Sequence, residues 1–222
     1  MSMTPKAIIH LVDDDVSVLH SLSALVDTIG HECRCFESAE AFLENFEPDN
    51  IGCVITDLRL QGMDGLALQK ELLAKQSTFP IIIISGHANV AETVEFMENG
   101  ALTLIKKPYD HAQLIKAIDR ALEINAKDRA LRFWIREIED LIDGLTPDEQ
   151  RVMELIISGK PNKAIAGELE ISMRTVDRRR STVLDQLKVK TAPELAQLLT
   201  RLRITKQTIS KGFVPPDQDE TT

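Results

Sequence analysis

The chain lacks any apolar run long enough to cross a bilayer. Its longest, around "FPIIII", is far short of the roughly 20 residues a membrane helix needs. No apolar signal-peptide stretch follows the N-terminal "MSMTPK", so a cytoplasmic protein with no membrane partner is expected. Cysteine is scarce and odd in number: Cys33, Cys35 and Cys53. Zinc ligation would need two further Cys or His at suitable spacing, and no second Cys-x-Cys is present, so the three read as buried, reduced thiols. There is no G-x-x-x-x-G-K loop, which argues against a nucleotide-driven enzyme.

What is present suits one large domain or two small ones: 222 residues, 43% of them hydrophobic. The net charge of −9 is unevenly spread. Residues 1–125 carry 9 Lys/Arg against 19 Asp/Glu, whereas residues 144–204 carry 11 against 8. An acidic half joined to a basic half points to a different partner for each.

Residues 6–125 alternate β-rich runs with amphipathic helical stretches. The runs are "KAIIHLV", "ECRCF", "GCVITDL", "PIIIISG" and "ALTLIKK". Gly30 and Gly100 stand where helix C-caps are expected, and Ser38 and Asn89 where N-caps are. Strands that are continuously Val, Ile and Leu are buried on both faces. The expected fold is therefore a doubly wound α/β domain with a five-stranded parallel sheet over residues 1–125. A helical stretch then runs from near His111 to Gly144, as one helix or as two joined near "NAKDR"; residues 126–143 serve as linker, either a semi-rigid spacer or a dimer seam. Residues 144–204 show no strand signal. Thr146, Pro147 and Glu149 form a capping-box start, Gly159 a stop, and "NKAIAGELE", a break at "IS" and "MRTVDRRRSTVLDQL" outline a small all-α helix-turn-helix domain. Residues 205–222 are polar and read as a disordered tail.

The run "IIHLVDDD" ends in three carboxylates, Asp13, Asp14 and Asp15. Two carboxylates about 4 Å apart repel by roughly 4 kcal/mol near a protein surface, so the cluster is either splayed into water or neutralised by a cation. In an open α/β sheet the site lies beyond the carboxyl ends of the strands. Four such ends deliver Asp13 and Asp14, Asp57, Ser85 and Lys107. Three carboxylates without a soft ligand suit a hard octahedral ion, Mg2+ or Mn2+. With the ion bound, one carboxylate can act as nucleophile toward a phosphoryl group while Lys107 stabilises charge and Ser85 donates a hydrogen bond. Asp57, alone between an apolar strand and the turn "LQGMDG", is the candidate nucleophile.

The segments "VDDD", "VITDLRLQGMDG", "IIIISGHA" and "IKKPY", in order across about 120 residues, resemble the CheY-like receiver domain of two-component response regulators. The resemblance implies a flavodoxin-like fold, metal on Asp13, Asp14 and Asp57, transfer of a phosphoryl group to Asp57 from a sensor histidine kinase, and its sensing by Ser85 and Lys107. Asp15 reads instead as a helix N-terminal charge. Two positions depart from the family: Gln61 stands where it usually has Pro, and Leu104 where it usually has the Tyr or Phe of a rotamer switch.

In the basic half, Val176, Val183 and Leu187 mark the buried face of the last helix of the pair, leaving Arg174, Asp177, Arg178 and Ser181 pointing away. These side chains, with Thr175 beside them, are candidates for a major groove, where Arg binds guanine in bidentate fashion and Asp177 either accepts from cytosine or orients a neighbouring Arg. Arg180 lies nearer the buried stripe and must snorkel or pair. Lys163, Arg179, Lys188 and Lys190 are placed for phosphates. "LTPDEQRVMELIISG", "NKAIAGELEIS", "RTVDRRR" and "LKVKTAPEL" resemble the LuxR/FixJ-type DNA-binding domain. In that family the last helix makes the dimer contact, and Leu195, Leu198, Leu199 and Leu202 form a stripe on it.

The reading that follows is a transcriptional regulator, not an enzyme beyond its own phosphoryl transfer and dephosphorylation. On phosphorylation it dimerises on double-stranded promoter DNA, with RNA polymerase as a further partner. A Mg2+-dependent aspartyl-phosphate phosphatase or phosphotransferase is the enzyme alternative, but it would want an acid where Arg59 stands. A third reading, prompted by Leu104 and Gln61, is a regulator that switches through its long helix independently of phosphate.

Overall fold

The computed structural model describes residues 7–47, 51–75, 77–86 and 89–210. They fall into two compact units, one up to Arg129 and one from Ala130 to Ser210.

In the first unit β1 (Ile8–Val12), α1 (Val16–Thr28), β2 (Glu32–Phe36), α2 (Ala39–Glu44), β3 (Gly52–Asp57), α3 (Gly65–Ala74), β4 (Ile81–Ser85), α4 (Val90–Glu98), β5 (Thr103–Lys106) and the start of α5 (His111–Asp143) alternate along the chain. The five strands form one parallel sheet in the order β2-β1-β3-β4-β5. Successive side chains of a strand point to opposite faces, so one apolar run fills two cores. Ile9, Leu11, Ile55, Ile82 and Ile84 pack with Leu22 and Val26 of α1 and Leu114 and Ile118 of α5. Val12, Val54, Ile81 and Ile83 pack with Phe42, Leu68, Leu72 and Phe96 from α2, α3 and α4.

The helix boundaries follow local chemistry. Asp15, Ser38, Asp64 and Asn89 each accept a backbone N–H of the helix they open, and Asn89 forms a full capping box with Glu92. Gly30 and Gly100, just past α1 and α4, take the positive φ that ends a helix cheaply. Only Cys53 of the three cysteines is buried, and burial pushes its thiol up to about 12. Cys33 is half-buried and Cys35 exposed, against the sequence expectation, because β2 is an edge strand with a partner on one side only.

α5 is one unbroken helix of 33 residues, so "NAKDR" is not a joint. The second unit holds its C-terminal end with α6 (Pro147–Ile157), α7 (Asn162–Glu168), α8 (Met173–Gln186) and α9 (Ala192–Ser210). Val152, Leu155, Ile156, Ile165, Val176, Val183, Leu187 and Leu195 form its core. Residues 205–210 continue α9, where a disordered tail was expected from 205; Ile209 packs beside Ile135, Ile138 and Leu202, and Lys206 pairs with Glu139. The rest of that tail, 211–222, lies outside the described residues. The leucine stripe of α9 is also accounted for within the unit. Leu195 and Leu202 are buried, and Leu198 and Leu199 pack against both α5 and the central core.

Two candidate functional sites

The first site forms along the carboxyl edge of the sheet. Asp13 follows β1, Asp57 closes β3, Ser85 closes β4 and Lys107 follows β5. The register sets Asp57 beside Ile84 and Ser85 beside Lys106, so three neighbouring strands end together. Lys107 Nζ lies 2.6 Å from Asp57 Oδ2 and 3.4 Å from Asp13 Oδ2. The remaining oxygens are held by backbone: Asp15 N donates to Asp13 Oδ1 and Arg59 N to Asp57 Oδ1, each at 2.9 Å. Gly65 lets α3 start against the end of β3, since a Cβ there would stand 2.6 Å from the Asp57 carbonyl oxygen.

Burial pushes the Asp13 carboxyl above its ordinary range, although the Asp15 amide and Lys107 pull the other way. Burial alone would lower the Lys107 ammonium; the hydrogen bond to Asp57 and the charge of Asp13 outweigh it and hold the group above its usual value. Ser85 is buried, and its carbonyl accepts from Lys107 N at 2.8 Å.

Among the described residues no three carboxylate, imidazole or thiol groups are gathered closely enough to hold a metal ion. Of the three carboxylates expected from the sequence to share an ion, Asp13 and Asp57 converge on Lys107, and Asp14 is exposed to solvent. Adjacent residues of an extended chain send their side chains to opposite sides. The pair fits a hard divalent cation: its donors are all oxygen, and added positive charge offsets the burial that pushes the Asp13 carboxyl up. Leu104 is half-buried against the Phe96 side of the sheet, an aliphatic packing residue where the resemblance leads one to expect an aromatic one.

The second site lies on α8. Leu169 to Ser172 join α7 to α8, and Ser172 caps α8 by accepting from Thr175 N. Val176, Val183 and Leu187 are buried, and Arg174, Asp177, Arg178 and Ser181 are exposed. Four candidates are already engaged. Asp177 accepts from Asn162 Nδ2 at 2.6 Å, while Asn162 Oδ1 accepts from Arg180 at 3.3 Å, so a polar chain ties α7 to α8. Arg179 pairs with Asp148 at the start of α6 and is largely covered. Thr175 is occupied in the helix cap, its hydroxyl 2.8 Å from that of Ser172. Lys188 sits 3.6 Å from Glu137 in the left-handed conformation that ends α8, and Lys163 and Lys190 are exposed. The sequence reading did not single out Asn162 or Asp148 as parts of this surface, because their partners are 15 and 31 residues away.

Residues 9–119 match the response regulator receiver domain, and residues 143–199 match the luxR family of bacterial regulatory proteins. The chain is 37% identical over 202 residues to the transcriptional regulatory protein FixJ of Bradyrhizobium diazoefficiens, covering 90% of this chain and 97% of that one. It is 35% identical to the response regulator protein TmoT of Ectopseudomonas mendocina, over 89% of this chain and 90% of the relative. Among solved structures, response regulator StyR superposes with a TM-score of 0.81 at 37% identity, covering 88% of this chain and 99% of that one. Full-length FixJ from B. japonicum superposes with a TM-score of 0.56 at 35% identity, over 90% and 99%.

The chain thus belongs to the two-component response regulators that join a receiver domain to a LuxR-type DNA-binding domain. Within them it is FixJ-like. Its relatives are transcriptional regulators rather than conventional enzymes, and its two domains imply a histidine kinase and DNA as partners. Among the described residues no helix is long and apolar enough to cross a membrane.

Proposed function

We propose that Asp57 accepts a phosphoryl group from a phosphohistidine of a sensor histidine kinase, and that the modified chain forms a homodimer on paired half-sites of promoter DNA, within reach of RNA polymerase. The observation that carries this reading is the Lys107 ammonium, 2.6 Å from one carboxylate and 3.4 Å from a second, buried one at the end of the sheet. In the transfer the P–N bond of the donor breaks, an Asp57 Oδ–P bond forms, and the imidazole keeps the electron pair and takes up a proton. Mg2+ or Mn2+ held by Asp13 and Asp57, with the exposed Asp14 side chain turning in to complete the set, would supply positive charge to the phosphoryl oxygens. Lys107, charged over the whole neutral range, moves from Asp57 Oδ2 to a phosphoryl oxygen, and the Ser85 hydroxyl donates to another. The amide of Arg59, already on Asp57 Oδ1, keeps the acceptor oriented.

Treating wild type and Asp57→Asn with a small phosphodonor and Mg2+ tests this directly. Wild type should gain one acid-labile phosphoryl group and shift from monomer to dimer in sedimentation; Asp57→Asn should do neither. Phosphorylated wild type that stays monomeric would remove dimerisation from the mechanism.

On and around α8 the candidate residues divide the labour. Arg174, Arg178 and Ser181 face outward to read bases. Lys163, Lys188 and Lys190 meet phosphates. Asp177 and Arg179, tied to Asn162 and Asp148, set the pitch of the helix against its neighbours, and Thr175 serves its cap. Arg178→Ala is expected to cost about 1 to 3 kcal/mol at one base-pair position. Arg179→Ala should weaken binding evenly over all sequences. Competition binding across a set of single-base half-site variants separates the two, and a position-specific loss for Arg179→Ala would make that residue a base reader.

A further inference from the structure

Leu104 leaves this receiver without the aromatic side chain that its family resemblance leads one to expect at that position, and the structure holds another connection out of the site. Arg59, two residues beyond Asp57, donates its amide to Asp57 Oδ1 at 2.9 Å and its guanidinium to the Glu92 carboxylate in the first turn of α4. Glu92 is at the same time the reciprocal half of the α4 capping box: its Oε2 accepts from Asn89 N at 3.1 Å while its own amide donates to Asn89 Oδ1 at 2.8 Å. One carboxylate therefore holds both the start of α4 and the side chain that begins beside the phosphoacceptor.

α4 is lightly fastened. Phe96 is its one fully buried residue; Val90 is 81% and Val94 49% exposed. Among the described residues its further ties include polar ones near the far end of the helix, Lys70 to Glu95 at 3.0 Å and the Gln69 amide to the Phe96 carbonyl at 3.1 Å. An element with so little apolar burial is held by individual contacts, and removing one of them shifts its equilibrium.

We propose that the Arg59–Glu92 ion pair is the relay by which phosphorylation of Asp57 reaches α4. A phosphoryl group brings close to two negative charges and three acceptor oxygens to the root of the Arg59 side chain. Guanidinium binds such a group more strongly than a single carboxylate, especially one that also accepts from a backbone amide. Arg59, whose side chain is 64% exposed and free to swing, leaves Glu92 for the phosphoryl oxygens, and the first turn of α4 loses its tie to the β3 end. This relay rests on Asp57 being the phosphoacceptor; it adds the route by which a site without an aromatic switch acts on its surface.

The test is amide hydrogen exchange of the full chain with Mg2+, with and without beryllofluoride as phosphoryl mimic, on wild type, Glu92→Gln and Arg59→Lys. Glu92→Gln removes the charge but keeps an oxygen for the capping box. In wild type the mimic should speed exchange over Val90–Val94 by about two- to fivefold, the scale of one exposed ion pair. Glu92→Gln should exchange at that faster rate without the mimic and gain nothing from it, and Arg59→Lys should keep part of the response. Fluorine NMR of the bound mimic separates the possible failures. No bound signal in wild type overturns the Asp57 reading and the relay with it. A bound signal with unchanged α4 exchange, or a full response in Glu92→Gln, overturns the relay and leaves the phosphoacceptor in place.

Discussion

Acidification from about pH 7.5 to about pH 5 is expected to cost the first unit roughly 2 kcal/mol of folding stability through His10 alone, rising to about 3 kcal/mol as the pH nears 4. His10 is on β1 with 2% of its surface exposed, enclosed by Phe36, Phe42 and Phe79 at ring-centroid distances of 6.1, 5.4 and 5.1 Å. Its Nδ1 lies 3.4 Å from the Cys53 carbonyl oxygen. Burial lowers its pKa from 6.5 to about 4; the Cys53 hydrogen bond and Glu47 oppose the shift and Arg34 adds to it. The unfolded chain binds a proton on this ring below about pH 6.5 that the folded chain refuses until about pH 4. Stability is whole above the first value and drains away as the pH falls toward the second. Asp13 works with the opposite sign, since its raised carboxyl is relieved by protonation. The informative quantity is therefore the difference between wild type and His10→Leu, followed by urea unfolding at several pH values. The wild type should lose stability relative to the variant by the stated amount between about pH 7.5 and pH 4. Parallel curves would mean that the ring already carries its proton inside the fold.

The sheet, the helix caps and the strand-end cluster were legible because each is written in short range. Alternation of faces in β1, β3 and β4 and the capping residues Ser38, Asn89 and Thr146 depend on neighbours within about four positions, and so does the placement of a residue at a strand end. That is enough to bring Asp57 and Lys107 together once the strands are parallel and in order. It does not set which way a side chain turns: Asp14 is exposed while Asp13 beside it is buried, and Asp177 faces Asn162 where a base was one expectation. Nor does it reveal pairings between distant segments. Arg59 and Glu92 are 33 residues apart, Arg179 and Asp148 31. The end of α9 was hidden for a different reason. "TKQT" is polar because it faces water, and the single apolar residue that anchors the last turn, Ile209, gives no period by itself.

Asn125 shows the same limit with the largest expected energetic effect. In "NAKDR" an Asn followed by charged residues marks a plausible joint between two helices. In the structure it is fully buried in the middle of α5. Its Oδ1 accepts from Gly52 N at 3.0 Å, and its Nδ2 donates to the Thr78 carbonyl at 2.8 Å and to the Thr78 hydroxyl at 3.0 Å. Gly52 opens β3 and Thr78 precedes β4, so one side chain closes the amino ends of two adjacent strands, at the edge opposite the acidic site. The strands are close here: a Cβ on Gly52 would stand 1.9 Å from the Ile8 carbonyl oxygen, which leaves no room for rearrangement of β1 and β3 around a lost bond. Asn125→Leu strands the buried Gly52 amide at about 1 to 3 kcal/mol and the partly buried Thr78 carbonyl at somewhat less, so the variant should lose roughly 2 to 5 kcal/mol in the unfolding transition of the first unit. Asn125→Asp keeps the acceptor for Gly52 but gives up both donations to Thr78 and buries a charge, and should do no better. A loss below about 1 kcal/mol in Asn125→Leu would mean that water takes over the two backbone groups, and that the Asn is a helix residue turned inward rather than the clasp between α5 and the sheet.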